Sequence, residues 1–405
     1  MATIAVLGAL DTKGLEHAFV ADCIHRHGYQ SILIDVGTGG PAQFEPDITR
    51  EQVAEAGDLD LQALMSRRDR GECVTAMSKA APALLQRLHS EGCIDGVISL
   101  GGGGGTAIAT AAMRALPIGF PKLMVSTLAS GNTAHYVGTK DIVMYPSIVD
   151  VAGLNRISKR IFTRAAGAIS GMVGAEPLTD DSEKPIIAAS MFGNTTDCVN
   201  EAKRHLEEAG YEVLVFHSTG AGGRAMESLI ESGLVDGVLD VTTTEWADEL
   251  VGGVLTAGAT RLEAAGKAGI PAIVVPGCVD MVNFGQRDSV PLKFEGRQFY
   301  IHNPQVTLMR TSVEESRKIG EVIAEKLSVY QGPVSVLLPT KGVSVIGIEG
   351  QPFYDPNADR ALFEAIRAGL PKRVPVIERD TSINDPVFAK ACAEALLDLL
   401  RAADR

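Results

Sequence analysis

Gly101, Gly102, Gly103, Gly104 and Gly105 stand in a row between the apolar run GVISL and the alanine-rich stretch TAIATAAMRAL. A glycine inside regular structure costs roughly 0.5–1 kcal/mol relative to alanine, so five in succession imply something that comes close to bare backbone. Successive N–H groups in a glycine turn form a nest for an anion, and a helix opening at Thr106 adds its positive end. The chemistry this suits is phosphate binding. Tight packing of a strand against a helix is the other use of glycine, and one or two residues satisfy it.

Three further stretches supply groups suited to the same ligand. Gly8-Ala9-Leu10-Asp11-Thr12-Lys13-Gly14 offers an ammonium for phosphate, with Asp11 and Thr12 placed to cap a helix or hold a metal-bound water. Asp35 precedes Gly37, Thr38 and Gly39 and lies about 20 residues beyond the first stretch, where a ribose-binding acid stands in dinucleotide folds. A helix cap or a solvated carboxylate is the plainer role for it. Ser130, Gly131, Asn132 and Thr133 present hydroxyls and an amide to phosphate or to the waters of Mg2+, and the same residues make ordinary turns. Neither a Walker A sequence nor G-x-G-x-x-G is present.

The second half of the chain carries proton-exchanging groups instead of glycine runs. His217, Glu245 and Asp280, with His302, are candidates for acid/base catalysis or metal ligation, and each alone also suits a loop hydrogen bond. Arg287, Lys293 and Arg297 form a basic segment able to clamp an anion or simply to be solvated. Trp246, the sole tryptophan, suits packing or a pocket wall.

These residues sit at the ends of a repeating pattern of short β-branched runs and longer amphipathic segments, which predicts parallel sheets covered on both faces. The runs ATIAVLG, YQSILIDVG, DGVISLG and PKLMVST predict strands, with helices over Leu15 to His27, Met77 to Ser90 and Thr106 to Leu116. The pattern restarts with KPIIAASM, YEVLVFHS, DGVLDVT and PAIVVPG, with helices over Thr196 to Ala209 and Ala225 to Ser232. A helix over Val313 to Tyr330, the strand SVLLPTKG and a helix over Pro386 to Ala402 complete it. Because EGCIDGVISL matches SGLVDGVLDV and each fourth strand is entered through a proline, the chain reads as a duplicated α/β unit. The expectation is two Rossmann-like domains, 1–178 and 185–405, joined by a polar linker, with a ligand cleft between them.

Composition narrows the class. With 405 residues, 45% hydrophobic, the chain is long enough for two cores. A net charge of −13 without a basic tract argues against nucleic-acid and membrane-surface partners. No apolar stretch approaches the roughly 20 residues of a membrane span, and no signal segment leads the chain, so a cytoplasmic protein is expected. Six cysteines without C-x-x-C spacing point to core packing. A homodimer is the default for such a protein.

The set LGALDTKG, DVGTGG, SLGGGGGT, STLASGNTAHYVGTKDI and PGCVDMVNFG resembles an uncharacterised family that includes the N-terminal domain of the plant tobamovirus-resistance protein, and the likeness covers nearly the whole chain. What the resemblance implies is a two-domain α/β protein that binds Mg-ATP through Gly8 to Gly14, Gly37 to Gly40, Gly101 to Thr106 and Ser130 to Thr133, in some members beside a TIM-barrel partner. It implies no settled reaction. The glycine run is also similar to the GGDGT loop of phosphofructokinase-like and NAD kinases, but Gly103 stands where their aspartate would be, leaving Asp11 or Asp141 to supply an acid. Two expectations follow. One is an ATP-dependent enzyme, a transferase, ligase or hydrolase, acting on a small carboxylate or carbonyl metabolite. The other is a nucleotide-binding regulatory or scaffold protein working with a separate TIM-barrel partner. A nicotinamide-dependent oxidoreductase ranks behind both.

Overall fold

In the computed structural model, residues 1–176 and 183–403 are described, and most of the expected linker lies outside them. The chain divides into two compact units, Met1–Thr179 and Asp180–Arg405. The first contains β1 (Thr3–Gly8), α1 (Leu10–Arg26), β2 (Gln30–Asp35), α2 (Arg50–Ala56), α3 (Leu61–Ser66), α4 (Arg70–Ser90), β3 (Gly96–Gly101), α5 (Gly103–Arg114), β4 (Lys122–Ser126), α6 (Ala134–Val137), β5 (Val143–Pro146) and α7 (Arg156–Gly174). Its five strands are parallel in the order β2-β1-β3-β4-β5.

The second unit begins with β6 (Ile186–Met191), α8 (Thr196–Glu208), β7 (Glu212–His217), α9 (Ala221–Glu231), β8 (Gly237–Thr242), α10 (Glu245–Val251), α11 (Ala264–Ala268) and β9 (Ala272–Gly277). It continues through β10 (Met281–Phe284), β11 (Phe299–Asn303), β12 (Val306–Arg310), α12 (Val313–Ser328), β13 (Val334–Pro339), α13 (Pro356–Gly369), β14 (Val376–Arg379) and α14 (Pro386–Ala403). Six of its strands form a parallel sheet in the order β7-β6-β8-β9-β13-β14. Counted along the strands of each parallel sheet, the first runs 2-1-3-4-5 and the second 2-1-3-4-5-6, so the duplication read from the sequence holds at the level of topology. The antiparallel sheet β10-β12-β11 has no counterpart in the first unit and was not foreseen.

The central strands β3, β8, β9 and β13 are buried along their whole length, as helices on both faces require, and this is why they read as mostly apolar runs, broken only by Ser99, Asp240, Thr242 and Ser335. Helix starts differ from expectation where glycine or polar residues fill the first turn. Helix α1 opens at Leu10 rather than Leu15, α4 at Arg70 rather than Met77, α5 at Gly103 rather than Thr106, and α9 at Ala221 rather than Ala225. Before the expected starts only Leu10 in α1 and Cys73 in α4 are buried large apolar side chains, too few to register as a helical period, so each helix is marked late. Among the described residues no helix is long and apolar enough to cross a membrane.

Candidate functional site

In a 2-1-3-4-5 sheet, the connections from the first and third strands leave in opposite directions, and the crevice between their C-terminal ends is where ligands bind. In the first unit that crevice lies between β1 and β3. Gly101 ends β3, Gly102 is the N-cap of α5, and Gly103, Gly104 and Gly105 are its first turn, whose amides have no partner within the helix. None of the five has a positive φ. A Cβ built on Gly101 would stand 3.1 Å from the Cα of Gly105, and one on Gly104 3.2 Å from Val74 Cγ2, so packing accounts for both. A Cβ on Gly102, Gly103 or Gly105 would meet nothing nearer than 3.7 Å, and Gly103 is exposed. Neither dihedral angle nor neighbour in the chain requires glycine at these three positions.

At Gly8, Gly37 and Gly39 the protein itself fills the space of the missing side chain, whereas a Cβ on Gly40 would meet nothing within 4 Å. The His17 ring lies where a Cβ of Gly8 would be, 1.9 Å from Nε2, and the Asp11 carboxyl group lies 2.6 Å from a Cβ on Gly37 and 2.9 Å from one on Gly39. Asp11 Oδ2 accepts the Gly39 N–H at 2.7 Å, while its Oδ1 is buried without a partner among the described residues. Thr12 is exposed and Thr38 half-buried on the same rim. His17, which sequence reasoning missed, donates from Nδ1 to the Lys13 carbonyl at 2.7 Å, and burial pushes its pKa down. Its position four residues after Lys13, on the buried face of α1, is the signal that could have found it.

Three sequence assignments change in this unit. Lys13, expected to reach phosphate, donates from Nζ to the carbonyl of Val151. Asp35, expected at a ribose, at a helix cap or in solvent, is 1% exposed: Oδ1 accepts the N–H groups of Leu10, the first residue of α1, and of Gly37, and Oδ2 pairs with Arg50 at 2.7 Å. A buried carboxylate requires such partners, and Arg50 is supplied by α2, which the sequence reading did not include. Asp141 pairs with Lys122 at 2.7 Å, at the opening of β4 and so at the opposite edge of the sheet from the glycine turn.

Beside the turn, a cavity of about 360 Å3 is lined by Ser126, Thr127, Ser130, Ser147 and Asp150 together with Ile148 and Val149. Ser126 Oγ lies 2.7 Å from Thr106 Oγ1 and accepts the Leu128 N–H, which fixes the end of β4 against α5. Ser130 keeps its place at the rim. Asn132 is exposed, its Oδ1 accepting the Ala134 N–H ahead of α6, where Thr133 is the N-cap; Gly131 bonds back to Leu128. Asp150 was not anticipated, because nothing in its local sequence marks β5, which delivers it.

In the second unit the glycine-rich loop Thr219-Gly220-Ala221-Gly222-Gly223 gives the opposite result under the same test. Gly220 has φ +78°, a Cβ on Gly222 would meet the His217 carbonyl oxygen at 1.9 Å, and one on Gly223 would meet the Glu245 carboxylate at 2.3 Å. Glu245, expected to handle protons, is 1% exposed. Its Oε1 accepts the Gly220 and Gly223 N–H groups, and its Oε2 pairs with Arg261 at 2.7 Å. Arg261 is itself buried against Asp240 and Glu227; burial opposes its charge, and the carboxylates of Asp240, Glu245 and Glu227 hold its pKa well up. Glu245 is therefore a positioning group inside an ion network. The N-terminal turn of α9 already carries an internal anion.

Asp280 is also 1% exposed, with Oδ2 accepting from Ser344 Oγ at 2.6 Å and Oδ1 buried without a partner among the described residues; burial pushes its pKa up against the pull of Arg310. His217 is exposed beside the Phe192 ring, and His302 is exposed on β11. The expected catalytic set is thus one accessible histidine and two enclosed carboxylates. Of the basic segment, Arg297 pairs with Glu315, and Arg287 and Lys293 lie over the rings of Phe299 and Phe294. Trp246 is core.

Residues 2–177 match the N-terminal domain, and residues 184–400 the C-terminal domain, of the Uncharacterised protein family (UPF0261). The chain belongs to this family. A UPF0261 protein of Clostridium tetani is 51% identical over 398 residues, covering 98% of each chain. One from Mesorhizobium japonicum is 47% identical over 99% of this chain and all of its own. The ToMV resistance protein Tm-1(GCR237) of tomato is 43% identical over 82% of this chain and 45% of its own length. The boundary between the two UPF0261 domain matches, after residue 177 and before 184, brackets the division into compact units.

Proposed function

We propose that the first unit of this UPF0261 chain binds Mg-ATP at the N-terminal turn of α5, and that the chain is an ATP-dependent enzyme acting on a small carboxylate or carbonyl metabolite. The observation that supports the nucleotide reading is the contrast between two glycine loops: at Gly220, Gly222 and Gly223 the protein itself needs the missing side chains, whereas at Gly102, Gly103 and Gly105 nothing in the described chain does. Gly103 and Gly105, each costing roughly 0.5–1 kcal/mol inside the helix, and Gly102 at its N-cap are retained where a ligand's phosphates would lie against bare amides. Gly103, Gly104 and Gly105 would hold the phosphates, with hydroxyls from Thr127 and Ser130. Asp150 would reach Mg2+ through its waters, since this ion keeps several of them. The enzyme reading rests on the polar residues that the second unit brings to its strand ends.

The test is thermal unfolding and calorimetric titration with ATP in the presence and absence of Mg2+, with NAD as control. Mg-ATP at 100 times its dissociation constant should stabilise the fold by about 2.7 kcal/mol, and NAD should do little. A larger shift with NAD would overturn the assignment. Nucleotide binding without turnover of any small acid or carbonyl compound would favour the regulatory role instead.

A further inference from the structure

A cavity of about 690 Å3 opens in the second unit at the C-terminal ends of β13 and β14, against the start of α13. No residue singled out from the sequence lines it. Its size falls within the range of small-molecule pockets, and its place at the C-terminal edge of a parallel sheet is the usual one for them.

Three cations line this cavity, and two are already paired: Lys341 Nζ stands 2.8 Å from Asp380, and Arg367 pairs with Glu378. Arg360, exposed near the start of α13, has no hydrogen-bond or ion-pair partner among the described residues. A guanidinium in this state offers its planar fork to a carboxylate, which it binds through two parallel hydrogen bonds. The rest of the lining is rich in acceptors and hydroxyls. Asp359 is held from behind at Oδ1 by Arg310 Nη2 at 2.7 Å, and Thr381 Oγ1 is buried without a partner among the described residues. A buried hydroxyl in that condition calls for a polar atom from elsewhere. Tyr354 supplies a half-open aromatic wall.

We infer that this cavity is a binding site for a small hydroxylated monocarboxylate, whose carboxylate pairs with Arg360 and whose hydroxyl groups bond to Asp359 and Thr381. The site also gives the segment around Asp280 a place in the structure. Arg310, which holds Asp359, donates to the Asp280 carbonyl at 3.5 Å and to Thr311 Oγ1 at 2.9 Å, so the loop after β9 braces the cavity wall from the interior. The inference names a substrate class for the enzyme reading above and rests on that reading only for what becomes of the ligand; binding itself is independent of nucleotide.

The test is ligand-observed NMR titration of the full chain without nucleotide, using gluconate and glycerate as probes. Hexanoate serves as a carboxylate without hydroxyls and sorbitol as a polyol without a carboxylate. Saturable binding of gluconate or glycerate is expected, with hexanoate and sorbitol weaker by about tenfold or more, and with Arg360→Gln weakening the bound probe by about tenfold or more. Arg373→Gln, which alters an exposed arginine outside the cavity, should leave the probe's affinity unchanged. Because Arg360 is exposed and unpaired, its substitution should not disturb the fold, which circular dichroism checks. Saturation by neither acid overturns the inference, as does equal affinity in Arg360→Gln and the parent protein, or sorbitol or hexanoate binding as tightly as the acids. Those outcomes leave the Mg-ATP titration untouched, and failure of that titration leaves this one untouched.

Discussion

Thr106 Oγ1 and Ser126 Oγ lie 2.7 Å apart, both residues wholly buried, so one hydrogen bond ties the first turns of α5 to the last residue of β4. Ser126 also accepts the N–H of Leu128, which makes it the common anchor of the glycine turn and of the cavity beside it. Ser126→Ala should cost about 1–3 kcal/mol, because it strands a buried hydroxyl and a backbone donor together. Thr127→Ala, at an exposed position on the same rim, should cost within about 0.5 kcal/mol. Urea unfolding of the two variants checks this, and equal stabilities would remove Ser126 from its anchoring role.

Glu245 offers a second decision between chemistry and architecture. Its removal leaves Arg261 with one carboxylate fewer and the Gly220 and Gly223 amides without an acceptor. Glu245→Ala should therefore destabilise the fold by about 3–5 kcal/mol, the usual cost of breaking a buried ion pair from one side. A variant of normal stability that has lost turnover would restore Glu245 as an acid/base group.

The buried Asp248 carboxyl predicts a pH dependence. Burial pushes its pKa from 3.8 up to about 7, against the opposing hydrogen bonds from the Asn283 N–H and side-chain amide. The folded chain thus holds this proton more tightly than the unfolded chain. The resulting stabilisation is complete below about pH 4 and is lost as pH rises through 7; it amounts to at most about 4 kcal/mol. Asp359, also pushed up to about 7 by burial, acts in the same direction. Stability measured from pH 4 to 8 should fall less steeply in Asp248→Asn than in the parent chain. Parallel profiles would show that Asp248 does not titrate in this range.

The strands were legible because fully buried parallel strands such as β3 and β9 are mostly apolar runs bounded by glycine or proline, and the repeated order followed from matching the two halves. Helix α13 was not foreseen, although Asp355 followed by Pro356 is a readable start signal: Asp355 accepts the N–H groups of Asn357 and Ala358, and proline occupies the first helical position. At the site, residue types were legible and their partners were not. Lys13, Asp35 and Glu245 are the kinds of residue that bind ligands, yet each is satisfied by a group distant in sequence: Val151, Arg50 and Arg261. Burial that comes from long-range packing leaves no local trace. The glycine run had the reverse character, since the sequence shows that side chains are missing and only the fold shows which absences the protein itself requires.

The central claim is tested most directly by Gly103→Ala. The added methyl would come no closer than 3.9 Å to Leu128 Cδ1, and φ at this position is not positive, so the chain accommodates it. Alanine in the first turn of α5 should hold or raise stability by about 0.4–1 kcal/mol by restricting the unfolded state. Calorimetric titration of Mg-ATP into this variant should nonetheless show affinity about tenfold or more below that of the parent chain, because the methyl occupies the surface on which phosphate is proposed to lie. A stable Gly103→Ala protein that binds Mg-ATP with parent affinity would contradict the account.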